Sequence, residues 1–436
     1  MSNAVFRREN GSLFMERVRL SSLLDAGIET PFFIYSAAQL AADWQAYAEA
    51  VAGLDAIVGY AVKANSNPAL LRRLAGFGAG AVVVSDYELR LALESGFAPQ
   101  QMLMHGNGKR PRDLEAALRA GILLSVDSEF DLEQIISRAT ALGVTARLLL
   151  RVNPDIDPQV HPYISTGLLD SKFGFAEGAV ERLRPRLQKL SSVEVVGLHC
   201  HLGSTLKSVQ PLRDAARLLA VLVNELRRDG HPIQILDMGG GLGIDYSRGR
   251  DKIPTPDEVT EAVRPVLDEL GLQLFLEPGR SLVARAGALI GRVLGVKDNG
   301  RKHFVVTDAS MAQLIRPCLY GAFHSIELLE ESVAGPQLAF DVVGPICESS
   351  DFLGQGRLLP TPRPGDGVII YDAGAYGFAM SSRYNLHLGC AEYLVDGDSL
   401  RRVRTAETFD DLSRHFSDEP ISVGTRQPSA RPAARD

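Results

Sequence analysis

The sequence is poor in cysteine and has no long apolar run. Its 436 residues include four cysteines, Cys200, Cys318, Cys347 and Cys390, which are too few and too scattered for a disulfide scaffold or a Cys-x-x-Cys metal site. No run approaches 18 apolar residues, and residues 1–10 contain no apolar core of signal-peptide length. These absences predict a protein of a reducing, cytoplasmic compartment that is neither exported nor inserted in a membrane.

An excess of positive charge is missing as well. The 46 Lys and Arg residues stand against 53 Asp and Glu residues, so the net charge is −7 and no nucleic-acid partner is expected. Hydrophobic residues make up 45% and charged residues 23% of the chain, which is ordinary for a globular protein. The length predicts two domains, or one large barrel with an appendage.

What the sequence does contain is a regular alternation of apolar runs and amphipathic helices. The apolar runs lie at residues 56–62, 80–84, 101–105, 122–126, 146–152, 195–201, 234–238 and 273–276. The helical patterns lie at residues 68–76, 87–95, 111–120, 128–142, 176–190, 208–229 and 256–270. This alternation predicts right-handed crossovers and a parallel sheet. The count of eight, with polar residues at most strand exits, favours a (β/α)8 TIM-type barrel over a doubly wound open sheet.

Helical spacing fades beyond residue 285, and short apolar runs separated by turns remain. We therefore expect an all-β, Greek-key or sandwich-like domain over residues 286–416. The barrel domain is expected over residues 31–285, and residues 31–36 are expected to form a strand ahead of the eight barrel strands. Residues 1–30 are expected to supply a strand segment that packs with the β domain. Residues 417–436, rich in Pro, Arg, Ser and Ala, predict a disordered tail.

A lysine follows the first apolar run of the predicted barrel directly. A charge at the exit of a buried strand is costly unless it is paired or chemically used. A desolvated lysine amine is partly neutral and nucleophilic near pH 7, which suits covalent chemistry with an aldehyde. Lys63 is thus a candidate nucleophile. The alternative is a lysine without a chemical role that reaches solvent at the start of a loop, which would give the same sequence pattern.

Three other strand ends carry residues with a chemical use. The glycines 239–241 can present backbone N–H groups to a phosphate, unless they only form a flexible turn. His199 and His201 face the same side of a strand. They could bind zinc as a pair, one of them could stack on an aromatic ring, or both could be ordinary core residues. Glu277 can hold a ring nitrogen protonated, and Arg280 suits a carboxylate or phosphate, unless the two simply form an ion pair.

The predicted β domain adds five polar candidates. Cys347 and Glu348 are adjacent in a polar loop, and Tyr376 is flanked by small residues. Arg316 and Tyr320 could bind the carboxylate of a substrate. Taken singly, each of these residues is more often structural than functional.

Together, a lysine for an aldehyde, a phosphate cradle, a stacking histidine and an acid for a ring nitrogen describe a pyridoxal phosphate site. The chain resembles the fold-type III pyridoxal-phosphate decarboxylases over about residues 10 to 415. The motifs that carry the resemblance are YAVKAN, HGNGK, VNPxxxxxxHPYISTGLLDSKFG, GLHCHLGS, GGGLG, EPGR, IRPCLYGAFH, GPICESSD and DAGAYGFAMSSRYN. The resemblance implies pyridoxal 5'-phosphate as the cofactor and no metal ion.

The resemblance also implies a role for each matching residue. Lys63 corresponds to the lysine that binds the cofactor aldehyde, His201 to the histidine stacked on its ring, and Glu277 to the acid facing its nitrogen. The phosphate is expected at Ser204, Gly239, Gly240, Gly241, Gly279, the backbone of Arg280, and Tyr376. The substrate is expected at Arg280, Arg316 and Tyr320, which would hold its distal carboxylate, and at Glu348 and Tyr376.

A second copy of the chain is implied too. Cys347 and Glu348 match a catalytic pair that is delivered from the other subunit of a homodimer with shared active sites, with the cysteine as a candidate proton donor. Two segments depart from the family. Residues 81–85 lack the usual acid and residues 86–87 replace a Gly-Gly pair, while residues 386–390 lack the usual Arg and Pro.

The resemblance predicts decarboxylation of the amino acid meso-2,6-diaminopimelate to L-lysine. Arg316 and Tyr320 favour a substrate with a distal carboxylate over one with a distal amine. The alternatives are a related decarboxylase for an ornithine-like or modified amino acid, a cofactor-binding protein without activity, and a metal-dependent barrel hydrolase built on His199 and His201.

Overall fold

The fold is taken from a computed structural model of the chain. It describes residues 5–157, 171–249, 251–331, 337–419 and 421. The segment HPYISTGLLD of the family motif, at residues 161–170, and most of the predicted tail lie outside the described residues.

The N-terminal segment folds as a small antiparallel sheet and one short helix. Its elements are β1 (Phe6–Glu9), β2 (Ser12–Met15), β3 (Val18–Arg19) and α1 (Leu20–Asp25). The helix was not predicted, because its six residues are too few to show a helical period. The Leu13 N–H donates to the Leu329 carbonyl at 2.9 Å, and Leu13 shares a buried apolar cluster with Ile290 and Ile369. The segment therefore packs against the C-terminal half of the chain.

The next two elements are β4 (Phe32–Ser36) and α2 (Ala37–Ala50), which begins where the Ser36 hydroxyl accepts the Gln39 N–H at 3.0 Å. β4 pairs with residues 287–290 and 391–395, so it lies in the C-terminal sheet. The predicted boundary, which placed residues 31–36 in the barrel, is wrong at this strand. All five β4 residues are buried, and a strand that is buried on both faces gives no sign of which sheet it joins.

Eight parallel strands then form a closed barrel, and a two-residue strand, β10, pairs with one of them. The strands are β5 (Ala56–Ala61), β6 (Gly80–Val83), β7 (Met102–Met104), β8 (Leu123–Val126), β9 (Ala146–Asn153), β10 (Phe175–Ala176), β11 (Val193–His199), β12 (Ile235–Asp237) and β13 (Gln273–Leu276). The ring closes because β8 pairs with β9 and β13 pairs with β5. The predicted barrel is confirmed, and the open sheet is wrong.

The barrel interior is filled by one side chain from each of its eight strands. This layer consists of Ile57, Val82, Leu103, Leu123, Leu149, Val196, Ile235 and Phe275. Gly59 makes room for it, since a Cβ atom there would lie 2.6 Å from the Phe275 ring. The interior is thus a packed core, and polar side chains can gather only at the strand ends.

Helices surround the barrel, and the longer ones bury one face against it. They are α3 (Pro68–Gly76), α4 (Asp86–Glu94), α5 (Pro111–Ala120), α6 (Glu129–Leu142), α7 (Glu177–Leu187), α8 (Gln210–Arg228), α9 (Pro256–Leu270) and the short α10 (Arg280–Val283). In α8 the buried residues recur three or four apart, as an amphipathic helix requires. Among the helices of the described residues, none combines the length and apolar character needed to cross a membrane.

The C-terminal domain is a mostly antiparallel sheet that includes β4. Its other elements are β14 (Gly287–Asp298), β15 (His303–Thr307), α11 (Arg316–Tyr320), β16 (Ile326–Leu328), β17 (Gln337–Val343), β18 (Phe352–Pro360), β19 (Gly367–Ile370), β20 (Ala391–Asp396), β21 (Ser399–Arg404) and α12 (Phe409–Ser413). The predicted β domain is confirmed. The strands β16, β18 and β21 were not predicted, because β16 is short, β18 contains two glycines and β21 contains three arginines.

Candidate active site

A cavity of about 540 Å³ opens at the C-terminal ends of the barrel strands. Side chains of both domains line it. From the barrel come Lys63, Val84, His105, Lys109, Arg151, Phe173, His199, His201, Ser204, Glu277 and Arg280, and from the β domain come Arg316, Tyr320, Tyr376 and Met380. The sequence therefore predicted most of the polar lining, and the fold brings it into one cavity.

Lys63 lies in a single 3-10 turn, Val62–Ala64, that follows β5. Its two neighbours are buried, whereas Lys63 itself is exposed because its side chain enters the cavity. The Tyr60 hydroxyl donates to the Asn65 carbonyl at 2.8 Å, and this bond holds the turn in place. The desolvation expected for this lysine is not found. Its amine instead faces an open, reachable space.

The triple glycine, residues 239–241, fits a space that no side chain could enter. A Cβ atom at Gly240 would lie 2.1 Å from the Glu277 carbonyl oxygen, and one at Gly241 would lie 2.0 Å from the Gly203 carbonyl oxygen. The Gly240 N–H donates to His201 Nδ1 at 3.1 Å, and the Gly239 N–H donates to a side chain of its own strand. Two of the three N–H groups thus have partners within the protein, and the phosphate site at these glycines stays a prediction.

His201 is a neutral ring in this setting. Its Nδ1 atom accepts the Gly240 N–H, so the proton of the neutral imidazole belongs on Nε2. Burial and the nearby Lys63 ammonium lower the pKa of His201 to about 3. A neutral, flat ring beside Lys63 in the cavity is suited to stacking on an aromatic cofactor.

Glu277 belongs to a buried cluster at the base of the cavity. One ligand atom from each of His105, His199, Asp237 and Glu277 lies within 4.8 Å of the others, and Glu277 Oε1 bonds to His105 Nε2. Burial opposes the ionisation of Glu277, but the surrounding imidazoles outweigh it and hold its pKa well below the usual range. Burial and Glu277 raise the pKa of Asp237 well above its usual range. Glu277 is therefore the ionised acid and Asp237 the protonated one.

Two members of this cluster, His105 and Asp237, were not predicted as site residues. The sequence feature that could have identified Asp237 is an acidic residue near the end of an apolar run. Strand register places it beside His199, because these two residues pair between β12 and β11. Two imidazoles and two carboxylates form a set that could bind zinc.

A planar cofactor fits the same cluster better than an ion does. His199 Nε2 and Asp237 Oδ2 are buried atoms that find no hydrogen-bond partner among the described residues. A metal site closed by four ligands would need no large space above it, whereas this cluster opens into the cavity that holds Lys63, His201 and Ser204. An ionised, buried Glu277 is the group that a protonated ring nitrogen requires.

Two arginines from different domains meet at the cavity. Arg280 donates from NH1 to the Tyr246 hydroxyl at 2.8 Å, and the Arg316 guanidinium lies 4.9 Å from the centre of the Tyr246 ring. Both arginines are buried, and the Nε atom of each has no partner among the described residues. Buried guanidinium groups with unused donors suit a carboxylate.

The two tyrosines expected at the site also line the cavity. Tyr376 has φ +57°, a left-handed conformation that is strained for a tyrosine, and its N–H donates to the Ala64 carbonyl at 2.8 Å. The Arg280 guanidinium lies 4.9 Å from its ring centre. Tyr320 reaches the cavity from α11. Tyr376 thus ties the β domain to the turn that carries Lys63.

Comparison with known proteins identifies the family. Residues 37–284 match the pyridoxal-binding domain of the pyridoxal-dependent decarboxylases. The chain belongs to this family. Its cofactor is pyridoxal phosphate, and it is a carboxy-lyase.

Individual relatives cover nearly the whole of this decarboxylase. A rice protein (Oryza sativa subsp. japonica) named probable diaminopimelate decarboxylase, chloroplastic, is 47% identical over 94% of this chain and 84% of its own. The diaminopimelate decarboxylase of Aquifex aeolicus is 40% identical over 94% of this chain and 96% of its own. The diaminopimelate decarboxylase of M. jannaschii, solved in complex with L-lysine, has a TM-score of 0.88 and 34% identity, and covers 94% of this chain and 98% of its own.

Cys347 and Glu348 are not among the residues that line this decarboxylase's own cavity. Both are exposed in a loop of the β domain. The Cys347 N–H donates to Asn385 Oδ1 at 2.8 Å, and the Tyr384 hydroxyl donates to Glu348 at 3.4 Å. The loop is thus joined to the segment of residues 384–386, where Asn385 and Leu386 both have positive φ.

The departure at residues 81–87 has a structural explanation in this decarboxylase. Val82, in the stretch of residues 81–85 where the family usually has an acid, belongs to the packed layer inside the barrel. Asp86 and Tyr87 open α4, whose N-terminus is capped by the Ser85 hydroxyl. Glu88 on the same helix accepts the Val84 N–H at 2.8 Å. An apolar side chain at position 82 thus completes the core beneath the site.

Proposed function

We propose that this decarboxylase converts meso-2,6-diaminopimelate to L-lysine and CO₂. The observation that carries the proposal is the pair of buried arginines, Arg280 and Arg316, at the cavity that also holds Lys63. Diaminopimelate has an amino group and a carboxylate at both ends, and its decarboxylation leaves one carboxylate in the product. A site for this substrate needs cations for the retained carboxylate, away from the reacting end. The names of the rice and Aquifex relatives support the same substrate.

The cofactor would be held by residues of both domains. Lys63 would bind its aldehyde, His201 would stack on its ring, and Glu277 would face its nitrogen. The phosphate would lie near Ser204, the glycines 239–241, Gly279 and Tyr376. Bound there, pyridoxal phosphate would supply an electron sink for the electron pair that stays on the substrate carbon when CO₂ departs.

Glu277 would make that sink stronger. Its carboxylate is ionised, buried and already bonded to the His105 ring, so it can keep a nearby ring nitrogen protonated. His201 carries no charge, so it would not compete for Glu277. The packed layer beneath the cluster keeps water away from that face, because its side chains fill the barrel.

We propose further that the active enzyme is a homodimer with shared sites. Cys347 and Glu348 are exposed and are not among the residues lining the cavity of their own chain, so they would act in the cavity of a second copy. There the Cys347 thiol would give a proton to the carbon that has lost CO₂, and Glu348 would contact the substrate. The four free cysteines favour a reducing compartment such as the cytoplasm.

The test is release of CO₂ from a panel of amino acids. We expect turnover of meso-2,6-diaminopimelate to exceed that of L-lysine, ornithine and arginine at equal concentration by at least about a hundredfold in kcat/KM, since they lack the second amino acid centre and would forfeit charge-assisted hydrogen bonds. Faster release from ornithine would contradict the substrate and favour a paralogous decarboxylase. A Lys63→Ala variant that kept full activity would contradict the assigned lysine.

A further inference from the structure

Tyr246 stands between the two arginines of the substrate site. Its hydroxyl accepts a hydrogen bond from Arg280 NH1 at 2.8 Å, and its ring lies beneath the Arg316 guanidinium at 4.9 Å. The loop after β12 carries Tyr246, and its carbonyl accepts the Ser325 hydroxyl at 3.2 Å, so the β domain anchors it. One tyrosine therefore contacts both cations, through two different interactions.

His324 completes the arrangement from the other side of Arg316. The ring is fully buried and meets the Tyr246 ring edge to face, with 5.1 Å between the ring centres. His324 Nδ1 lies 2.8 Å from the Tyr371 carbonyl oxygen, which can only accept, so Nδ1 must carry the proton. The other nitrogen, Nε2, then accepts from Arg316 NH1 at 2.8 Å. Both ring nitrogens are used, and the ring must be neutral to use them.

This chain of contacts fixes Arg316 on two sides. Its NH1 atom is held by His324 and its flat face by Tyr246, while its Nε atom finds no partner among the described residues. Arg280 is held by Tyr246 and likewise keeps an unpartnered Nε atom. A guanidinium held in one orientation loses little further side-chain entropy when a carboxylate binds.

We propose that His324 and Tyr246 are positioning residues that hold Arg280 and Arg316 in the one arrangement that recognises the retained carboxylate of the substrate. The inference rests on the proposed function, because it takes the ligand of the two arginines to be an amino acid carboxylate. Neither residue touches the reacting carbon in this account. Their effect is on which substrates bind, by favouring those with a carboxylate at the distal end.

Two ligands separate this role from a general structural one. L-lysine carries the carboxylate, and cadaverine is the same chain without it. Binding of each ligand to the wild-type enzyme loaded with pyridoxal phosphate is measured by calorimetry. We expect lysine to bind at least about tenfold more tightly than cadaverine, because its carboxylate adds at least one charge-assisted hydrogen bond. Equal binding of the two ligands would overturn both the proposed function and this inference.

The variants form a matched pair. His324→Gln can place an amide oxygen near the position of Nε2, where it accepts from Arg316, whereas His324→Asn is too short to do so and keeps only the contact with Tyr371. We expect His324→Asn to lose about tenfold to hundredfold in lysine affinity and to leave cadaverine affinity within about twofold. His324→Gln should recover most of the loss. The KM for diaminopimelate should rise in the same order, with kcat little changed.

Tyr246→Phe provides a second, milder test in case the histidine variants fold poorly. It removes the hydroxyl bonded to Arg280 but keeps the ring beneath Arg316. We expect lysine affinity to fall about three- to tenfold, again with cadaverine unaffected. If wild type prefers lysine but none of these variants alters that preference, the inference fails while the proposed function stands. Equal losses for both ligands would also overturn the inference, since they would point to the cofactor or the fold.

Discussion

Substituting Gly240 with alanine should damage both the stability of the protein and its hold on the cofactor. A Cβ atom at this position would lie 2.1 Å from the Glu277 carbonyl oxygen, and that oxygen is backbone, so no side-chain rotation can relieve the contact. The N–H of Gly240 also bonds to His201 Nδ1. The end of β13 would therefore have to shift, together with the side chain of Glu277 and the ring of His201.

The expected loss of stability in Gly240→Ala follows from the cost of overpacking a protein interior. Forcing one extra carbon into a packed interior costs about 1–3 kcal/mol, or more when backbone must move. For a domain of this size, each kcal/mol lowers the melting temperature by about 2–4 °C, so a fall of roughly 2–12 °C is expected. The cofactor affinity of Gly240→Ala should fall as well, because two of the residues proposed to contact the cofactor ring are displaced.

Gly76→Ala is the matched control. It is an exposed residue at the end of α3, and nothing lies within 4 Å of the position that its Cβ would take. The substitution should stabilise the protein by about 0.4–1 kcal/mol. Both variants are compared by thermal melting with and without pyridoxal phosphate, and by titration of the cofactor. If Gly240→Ala melted like Gly76→Ala and bound the cofactor normally, the close packing of the glycine turn against Glu277 would be refuted.

Three further outcomes are expected. Arg316→Lys keeps the positive charge, but it loses the planar guanidinium and leaves His324 Nε2 without its hydrogen-bond donor. The kcat/KM for diaminopimelate should therefore fall about tenfold to a thousandfold, chiefly because KM rises. An unchanged KM in steady-state kinetics would contradict this. Burial raises the pKa of Asp372 to about 7, so its bound proton stabilises the fold below about pH 4, and that stabilisation is lost as pH rises through 7. Denaturant unfolding of wild type should therefore lose about 4 kcal/mol between pH 4 and 8 relative to Asp372→Asn, and parallel pH profiles would refute the shift. Mixing inactive Lys63→Ala and Cys347→Ala subunits in equal amounts should restore about one quarter of the wild-type activity if sites are shared in a dimer, whereas no recovery would contradict shared sites.

The barrel could be predicted because its signal is local and repeated. Each strand is a short apolar run and each helix has its own period, so the eight units stand out one by one. β4 could not be assigned in the same way. Its five residues are buried on both faces, and the helix that follows it made it look like one more barrel unit, although its partners lie more than 250 residues away in β14 and β20.

The residues of the candidate site differ in the same way in how far the sequence reveals them. Lys63, His201 and Glu277 stand at strand exits, and the family motifs point to them directly. Asp237 and His324 were missed, because their importance comes from contacts that only folding creates. Asp237 meets Glu277 through the order of the strands, and His324 meets Arg316 across a short turn whose geometry the sequence does not reveal. Residues that hold other residues carry little signal in a single sequence.

The central claim is that the amine of Lys63 is the group that binds the cofactor. It is tested most directly by treating the loaded enzyme with borohydride and mapping the labelled lysine by mass spectrometry. We predict a single pyridoxyl group on Lys63 and none on Lys109. Lys109 also lines the cavity, but its Nζ atom donates a hydrogen bond to Asp131 Oδ2 at 2.5 Å. A label on Lys109, or a loaded enzyme that carries no label at Lys63, would contradict the account.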